Sequence, residues 1–82
     1  MSESEISIEK RRLLVVEKML EKEQITKIEL ELMEKFLSRQ LLKGNSEAQK
    51  MHVMSRTQIG QHAEMIKFLE EEIQTISLAM IL

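Results

Sequence analysis

The turn signal Lys43-Gly44-Asn45-Ser46 constrains this chain more than any other feature, because it is the strongest break in a sequence without proline. A glycine just after an apolar periodic segment, with a lysine in the preceding turn, is typical of a helix C-terminus. Ser46 with Gln49 three residues later has the pattern of a capping box, which begins a new helix. The sequence therefore predicts two helices, over about 5–43 and 46–80, joined by a tight turn at 43–46.

The composition favours an all-α protein. Apolar residues make up 43% of the chain and charged residues 32%, and Phe36 and Phe68 are its two aromatic residues. Strands would require more β-branched and aromatic residues in alternation. The chain has no cysteine, which excludes disulfides and thiolate metal sites. We expect one helical domain spanning residues 1–82.

The first arm carries two apolar rows. The first row consists of Leu13, Val16 and Leu20, and the second consists of Ile25, Ile28, Leu32 and Phe36. Each row has helical spacing, but the first row continues onto Lys27 and Glu34, so the apolar side changes direction between them. Thr26 with Glu29 has a capping-box pattern that favours a break near 24–26 and a three-helix protein. The absence of Gly and Pro there favours one continuous helix, and both architectures stay open.

The second arm carries a heptad repeat. Its two apolar positions are occupied by Ile59, Ile66, Ile73 and Met80, and by His62, Leu69 and Ile76. This spacing predicts an a/d seam, in which His62 is a polar residue that fixes the register. Gly60 indicates either a close approach of another helix or a weak point, and Ser55 with Gln58 leaves a break near 55–60 as an alternative. His52 and His62 are about 80° apart around this helix and two to three turns apart along it, so they cannot share a metal ion within one chain, and we expect no metal and no cofactor.

The arm lengths predict self-association. A straight second helix would be about 55 Å long, whereas a compact domain of this size is about 30 Å across. Two helices side by side cover one stripe of each other, and several apolar residues lie outside it: Ile8, Val15, Met19, Leu30, Met33, Met51, Met54 and Met65. Pairing two hairpins into a homodimeric four-helix bundle, or assembling more copies into a higher homo-oligomer, buries this second surface. The predicted oligomer or partner interface consists of Leu13, Val16, Leu20, Leu32, Phe36, Ile59, His62, Ile66, Leu69, Ile73, Ile76 and Met80.

The sequence contains no pattern that is typical of a catalytic site. The chain has no aspartate and no Gly-rich phosphate loop, and its net charge is −2. The basic cluster Lys10, Arg11 and Arg12 is a candidate nucleic-acid contact, but acidic residues flank it. We expect a small non-enzymatic interaction or regulatory module that binds itself and another protein; the alternative is a dimeric nucleic-acid-binding transcriptional regulator. No apolar tract is long enough to span a bilayer and none is like that of a secretory signal, so we expect a cytoplasmic protein without membrane contact.

The middle of the first arm contains a short motif. Ile25 and Thr26 are followed by Glu29 and Glu31, and Leu37 stands at a closing apolar position. This pattern, over residues 14–37, resembles the SHOCT domain, a short helical module. Gln24 replaces the glycine that usually precedes the Ile-Thr pair, and Leu30 replaces an aromatic residue. The resemblance implies a helix break at Gln24 and a role in oligomerisation.

Overall fold

The computed structural model describes residues 2–81, which form two long helices and one turn. Helix α1 spans Glu3–Leu42 and helix α2 spans Ala48–Ile81. The helices run antiparallel as an extended hairpin that measures 63 × 14 × 13 Å. Its radius of gyration is 18.4 Å, against about 12 Å for a compact domain of this length. The predicted all-α helical hairpin is confirmed in its elongated form.

Ser2 caps the beginning of α1. The Ser2 hydroxyl oxygen accepts a hydrogen bond from the Glu5 amide at 3.2 Å, and the Glu5 carboxylate accepts one from the Ser2 amide at 3.3 Å. This capping box satisfies two of the amides that the first helical turn leaves without a backbone partner. It accounts for the beginning of α1 at Glu3, slightly before the predicted start near residue 5.

Helix α1 continues without interruption through residues 24–26. Of the two architectures left open by the sequence, the structure therefore has the hairpin with one continuous first helix. Thr26 does not cap a new helix, because its hydroxyl donates a hydrogen bond to the Lys22 carbonyl at 3.0 Å, one turn earlier. A threonine inside a helix satisfies its hydroxyl in this way without breaking the backbone pattern. The break implied by the SHOCT resemblance is likewise absent from α1.

The turn after α1 is a Schellman motif centred on Gly44. The Gly44 amide donates to the Leu41 carbonyl and the Asn45 amide donates to the Gln40 carbonyl, both at 3.0 Å. These two bonds satisfy carbonyls that the last helical turn leaves open. Gly44 has a φ of 92°, which a residue with a Cβ adopts only with strain. The helix therefore ends where the glycine predicts.

Asn45 caps the beginning of α2. Its side-chain oxygen accepts a hydrogen bond from the Glu47 amide at 3.2 Å, and its backbone carbonyl accepts one from the Ala48 amide at 3.2 Å. Asparagine does this readily because its side chain reaches the amide two residues further along. This cap takes the place of the predicted Ser46 capping box, and α2 begins at Ala48 rather than near residue 46. From there α2 runs unbroken through 55–60.

The core of the hairpin is a single layer of side chains between the two helices, which we call the seam. Two contacts across it, from Glu23 to His62 and from Glu34 to His52, define how the helices are aligned. The buried side chains of the described chain are Leu37, Ala48, Ser55, Leu69 and Ile76. A core this thin follows from the architecture, since each helix has only one neighbour to pack against.

Candidate functional site

His62 contacts Glu23 across the seam. Its Nδ1 atom is hydrogen-bonded to a Glu23 carboxylate oxygen, and both side chains are half-buried. The sequence predicted His62 as a lone polar residue of the seam, and the structure gives it a partner on α1. Any shift of one helix along the other would separate this pair and leave half-buried polar atoms without partners. The contact therefore helps to fix the alignment of α1 and α2.

A second polar layer surrounds His52. The His52 Nε2 atom lies 2.9 Å from the Ser38 hydroxyl oxygen and 2.9 Å from a Glu34 carboxylate oxygen. A catalytic triad places its serine and its carboxylate on opposite nitrogens of the imidazole, so that a proton can pass through the ring. Here both groups contact the same nitrogen, so the ring does not link them. This layer has the contacts of a structural cluster and lacks the geometry of a triad.

The histidine layers do not form a metal centre. Across residues 2–81, no three His, Asp or Glu side chains are arranged to hold a metal ion. Glu23 and Glu34 are the residues that sequence reasoning missed at these two layers. Glu34 lies at seven-residue steps beyond Leu13 and Leu20, and Glu23 lies seven residues beyond Val16 of the same row. This continuation of the row was the signal that could have revealed them.

The predicted interface residues divide into two groups. All except Leu32 and Phe36 are buried or half-buried in the seam: Leu13, Val16, Leu20, Ile59, His62, Ile66, Leu69, Ile73, Ile76 and Met80. Stepping along the heptads from the Glu23 contact places Leu20 opposite Ile66. These side chains therefore hold the hairpin itself together, and their role in an oligomer or partner interface stays a prediction.

Leu32 lies on the side of α1 that faces away from α2, and Phe36 lies nearer to α2, where it lines a groove together with Met51. They belong to a row of four apolar side chains, Ile25, Ile28, Leu32 and Phe36, which are 50 to 64% exposed. We call this row the outer stripe. Because α1 is continuous, it cannot turn both of its apolar rows toward one partner helix. The seam follows the first row, and its polar continuation at Glu23 and Glu34 is satisfied by the histidines of α2.

A second exposed apolar surface combines both helices. Its side chains, which we call the apolar face, are Ile8, Val15, Met19 and Met33 from α1 and Met51, Met54, Met65 and Phe68 from α2. Helical spacing places each set along one flank of its helix. A groove that is lined by Ile8 and Val15 and also by Glu72 and Ile76 shows that the two flanks lie on the same side of the hairpin.

The opposite side of the hairpin is polar. A groove there is lined by Glu31 and Arg56 together with Lys27, Glu34 and Ile59. The neighbouring positions along the same two flanks are also mostly polar: Glu17, Gln24, Lys67, Glu70 and Gln74. The hairpin thus has one apolar and one polar side, in addition to the outer stripe.

The groove at the open end of the apolar face has a volume of about 600 Å³ and carries charge at its edge. Arg11 and Arg12 line it from α1, and Glu72 lines it from α2. Arg12 also forms an ion pair with Glu9 at 3.0 Å. All three residues of the basic cluster predicted as a nucleic-acid contact, Lys10, Arg11 and Arg12, are exposed, and Arg12 is also paired with a carboxylate of its own helix.

The hairpin exposes more surface than a compact protein of its mass. Its accessible surface is 6520 Å². A compact monomer of 9.6 kDa would expose about 5,100 Å², because surface scales with mass to a power below one. The difference of about 1,400 Å² exceeds the roughly 800 Å² that each partner buries in a standard protein interface. The hairpin therefore has spare surface for at least one partner.

Comparison with known proteins gives no assignment. No family model, no curated protein and no solved structure matches the chain. The resemblance of residues 14–37 to the SHOCT domain therefore stays a prediction. Over residues 2–81, neither helix has a stretch that is long and apolar enough to cross a membrane.

Proposed function

We propose that this chain is a small, cytoplasmic, non-enzymatic interaction module that pairs with a second copy through the apolar face and binds another protein. The observation that carries the proposal is the composition of that face. Eight large apolar side chains share one side of the hairpin while the other side is polar. Each such side chain gains about 1.5 to 3 kcal/mol when it is fully removed from water, so the face favours association.

The size of the surface favours a homodimer. Two hairpins that pack through their apolar faces form a four-helix bundle, which is a common way for two-helix chains to complete a core. The excess surface of each hairpin is larger than the share that a standard interface needs.

The outer stripe supports the second half of the proposal. Three of its four side chains lie on the side of α1 away from the seam, so pairing through the apolar face leaves them free. Phe36, which lines a groove together with Met51, lies at the edge of that face. Ile25, Ile28, Leu32 and Phe36 are spaced three or four residues apart, which is the pattern that packs against one amphipathic helix. The partner would thus be a protein that presents such a helix.

Sedimentation equilibrium at micromolar concentration tests the pairing. We expect a mass of twice 9.6 kDa for the wild-type chain. Phe68→Glu places a charge on the apolar face and should give a helical monomer, because burying an unpaired carboxylate is unfavourable. Leu32→Glu is the matched control on the outer stripe and should leave the dimer intact. A monomeric wild-type chain would refute self-association, and dissociation by Leu32→Glu alone would assign the interface to the outer stripe.

Affinity purification tests the partner site. A protein that binds the outer stripe should co-purify with the tagged wild-type chain and with Phe68→Glu, and should be lost with Leu32→Glu. The comparison is informative because Leu32 and Phe68 are both more than half exposed, so neither change removes a core side chain. Equal recovery of the same protein by all three chains would contradict a partner site on the outer stripe.

A further inference from the structure

The apolar face has a pattern along its length. From the open end toward the turn, the first zone is apolar and contains Ile8, Val15, Met19, Met65 and Phe68. The middle zone is polar, because helical spacing brings Lys22, Thr26, Gln58 and Gln61 to this side between the apolar residues. The zone nearest the turn is again apolar and contains Met33, Met51 and Met54. The order along the face is therefore apolar, polar, apolar.

The charges on this face are not symmetric between its two ends. Arg11, Arg12 and Glu72 line the groove at the open end. The groove nearest the turn is lined by Phe36, Leu37, Ala48 and Met51 together with neutral polar residues and one charged side chain, Glu47. A surface that meets the open end must therefore accommodate the Glu72 carboxylate and two guanidinium groups, of which that of Arg12 is already paired with Glu9 of the same chain. A surface that meets the turn end must accommodate mainly apolar side chains.

The two ways of pairing the faces differ in what meets these charges. If the turns lie at opposite ends, Arg11, Arg12 and Glu72 of one copy cover the methionines near the turn of the other. Glu47 is then the one opposite charge available to the two arginines in that groove, and Glu72 loses water without gaining a basic partner there. If the turns lie at the same end, each zone of one copy contacts the same zone of the other copy. A two-fold axis along the hairpin then packs α1 of one copy against α2 of the other, so the basic pair meets Glu72 across the interface.

We infer that two copies pair side by side with their turns at the same end, and that Arg11 and Arg12 of each copy face Glu72 of the other. This inference rests on the proposed self-association through the apolar face and adds the orientation of the two chains. Two features favour a second copy in this orientation: charge complementarity at the open end, and contact between apolar zones of the two copies. Opposite charges across an interface contribute mainly to the choice of partner and orientation.

A distance between two turns tests the orientation. The chain has no cysteine, so Lys43→Cys provides a single site in the turn for a spin label. Turns at the same end should lie about 20 to 30 Å apart, given neighbouring helices 8 to 10 Å apart and the length of two label arms. Turns at opposite ends would be separated by nearly the full 63 Å of the hairpin. A label at Gln24→Cys, near the middle, gives a short distance in either case and serves as the control.

The outcomes separate this inference from the proposed function. A dimeric mass with a long distance between the turns would refute the orientation and leave self-association standing. A monomeric mass would refute self-association and the orientation with it. A dimeric mass with a short distance at both labels supports both.

A charge exchange tests the contact itself. Glu72→Arg and the double variant Arg11→Glu, Arg12→Glu should each form homodimers at least tenfold weaker than wild type, because like charges meet. Mixing the two variants should give mainly mixed dimers by native mass spectrometry, since opposite charges then face each other at both contacts. Changes within each chain are the same in both kinds of dimer, so the preference reports contacts between copies.

Glu71→Arg is the matched control for the charge exchange. Glu71 neighbours Glu72 and is exposed, but helical geometry turns it away from the apolar face. A mixture of Glu71→Arg with the double variant Arg11→Glu, Arg12→Glu should show no preference for mixed dimers. The same lack of preference with Glu72→Arg would overturn the proposed contact.

Discussion

At the scale of single residues, the two glycines play opposite roles. Gly60 lies within α2, and an added Cβ would meet no atom within 4 Å, so no close helix approach requires a glycine there. Glycine inside a helix is about 0.5 to 1 kcal/mol less favourable than alanine. We therefore expect Gly60→Ala to raise the free energy of unfolding by that amount, measured by thermal unfolding followed by circular dichroism.

Gly44→Ala is the counterpart of that substitution. The φ of 92° at Gly44 disfavours any residue with a Cβ, and the left-handed region costs such residues about 1 kcal/mol. Gly44→Ala should therefore lower the free energy of unfolding by about this amount, although the added methyl group has free space around it. Equal effects of the two alanines would show that backbone conformation does not distinguish these positions.

Individual seam residues show what the sequence revealed and what it did not. The heptads of α2 could be predicted because the two heptad positions that begin at Ile59 and His62 carry apolar residues at every later repeat up to Met80. In α1, the row from Leu13 passes through polar residues while a more apolar row begins at Ile25. Hydrophobicity alone favours the second row for the seam. The structure has the first row in the seam, where Glu23 and Glu34 contact histidines of α2 and Leu37 is buried. The histidine partners lie on another helix, so the local pattern of α1 does not show them.

At the scale of the helices, stability depends on a few enclosed side chains. Leu69 is 2% exposed, whereas Leu78 on the same helix is 59% exposed. Removing a buried leucine side chain costs about 2 to 5 kcal/mol, while an exposed substitution changes stability by about 0.5 kcal/mol or less. We expect urea unfolding to show this difference between Leu69→Ala and Leu78→Ala. A similar loss of unfolding free energy in both variants would mean that other side chains or another molecule cover Leu78 in solution.

The helix boundaries were predictable to different degrees. The end of α1 follows from Gly44, since only one residue type accepts that backbone geometry without strain. The continuity of α1 was open because a threonine hydroxyl has two local uses. Thr26 can cap a new helix or bond to the carbonyl one turn earlier, and the structure has the second. The beginning of α2 differs from the prediction because Asn45 and Ser46 are both residue types that cap helices, and in the structure the Asn45 side chain accepts the capping hydrogen bond.

At the scale of the whole molecule, the hairpin is a rod whose length does not change when it pairs side by side. The radius of gyration of one copy is 18.4 Å, and two such rods about 10 Å apart would have a radius of gyration of about 19 Å. Small-angle scattering should therefore show a doubled mass with a nearly unchanged radius and a maximum dimension close to that of one hairpin. End-to-end association would instead nearly double the maximum dimension.

The two polar layers of the seam lie between the middle of the rod and its turn, with Lys27 between them on α1. A rod of stacked layers is stabilised layer by layer, and the layers with the least apolar contact open first. The segment between these two layers should therefore separate transiently more often than the layers on either side of it, which hold Leu69 and Ile76 toward the open end and Leu37 and Ala48 toward the turn. The outer stripe runs along this same part of α1. A helix that binds there would meet the segment of the hairpin that is easiest to reshape, which gives this part of the rod the greater freedom to adapt to a partner.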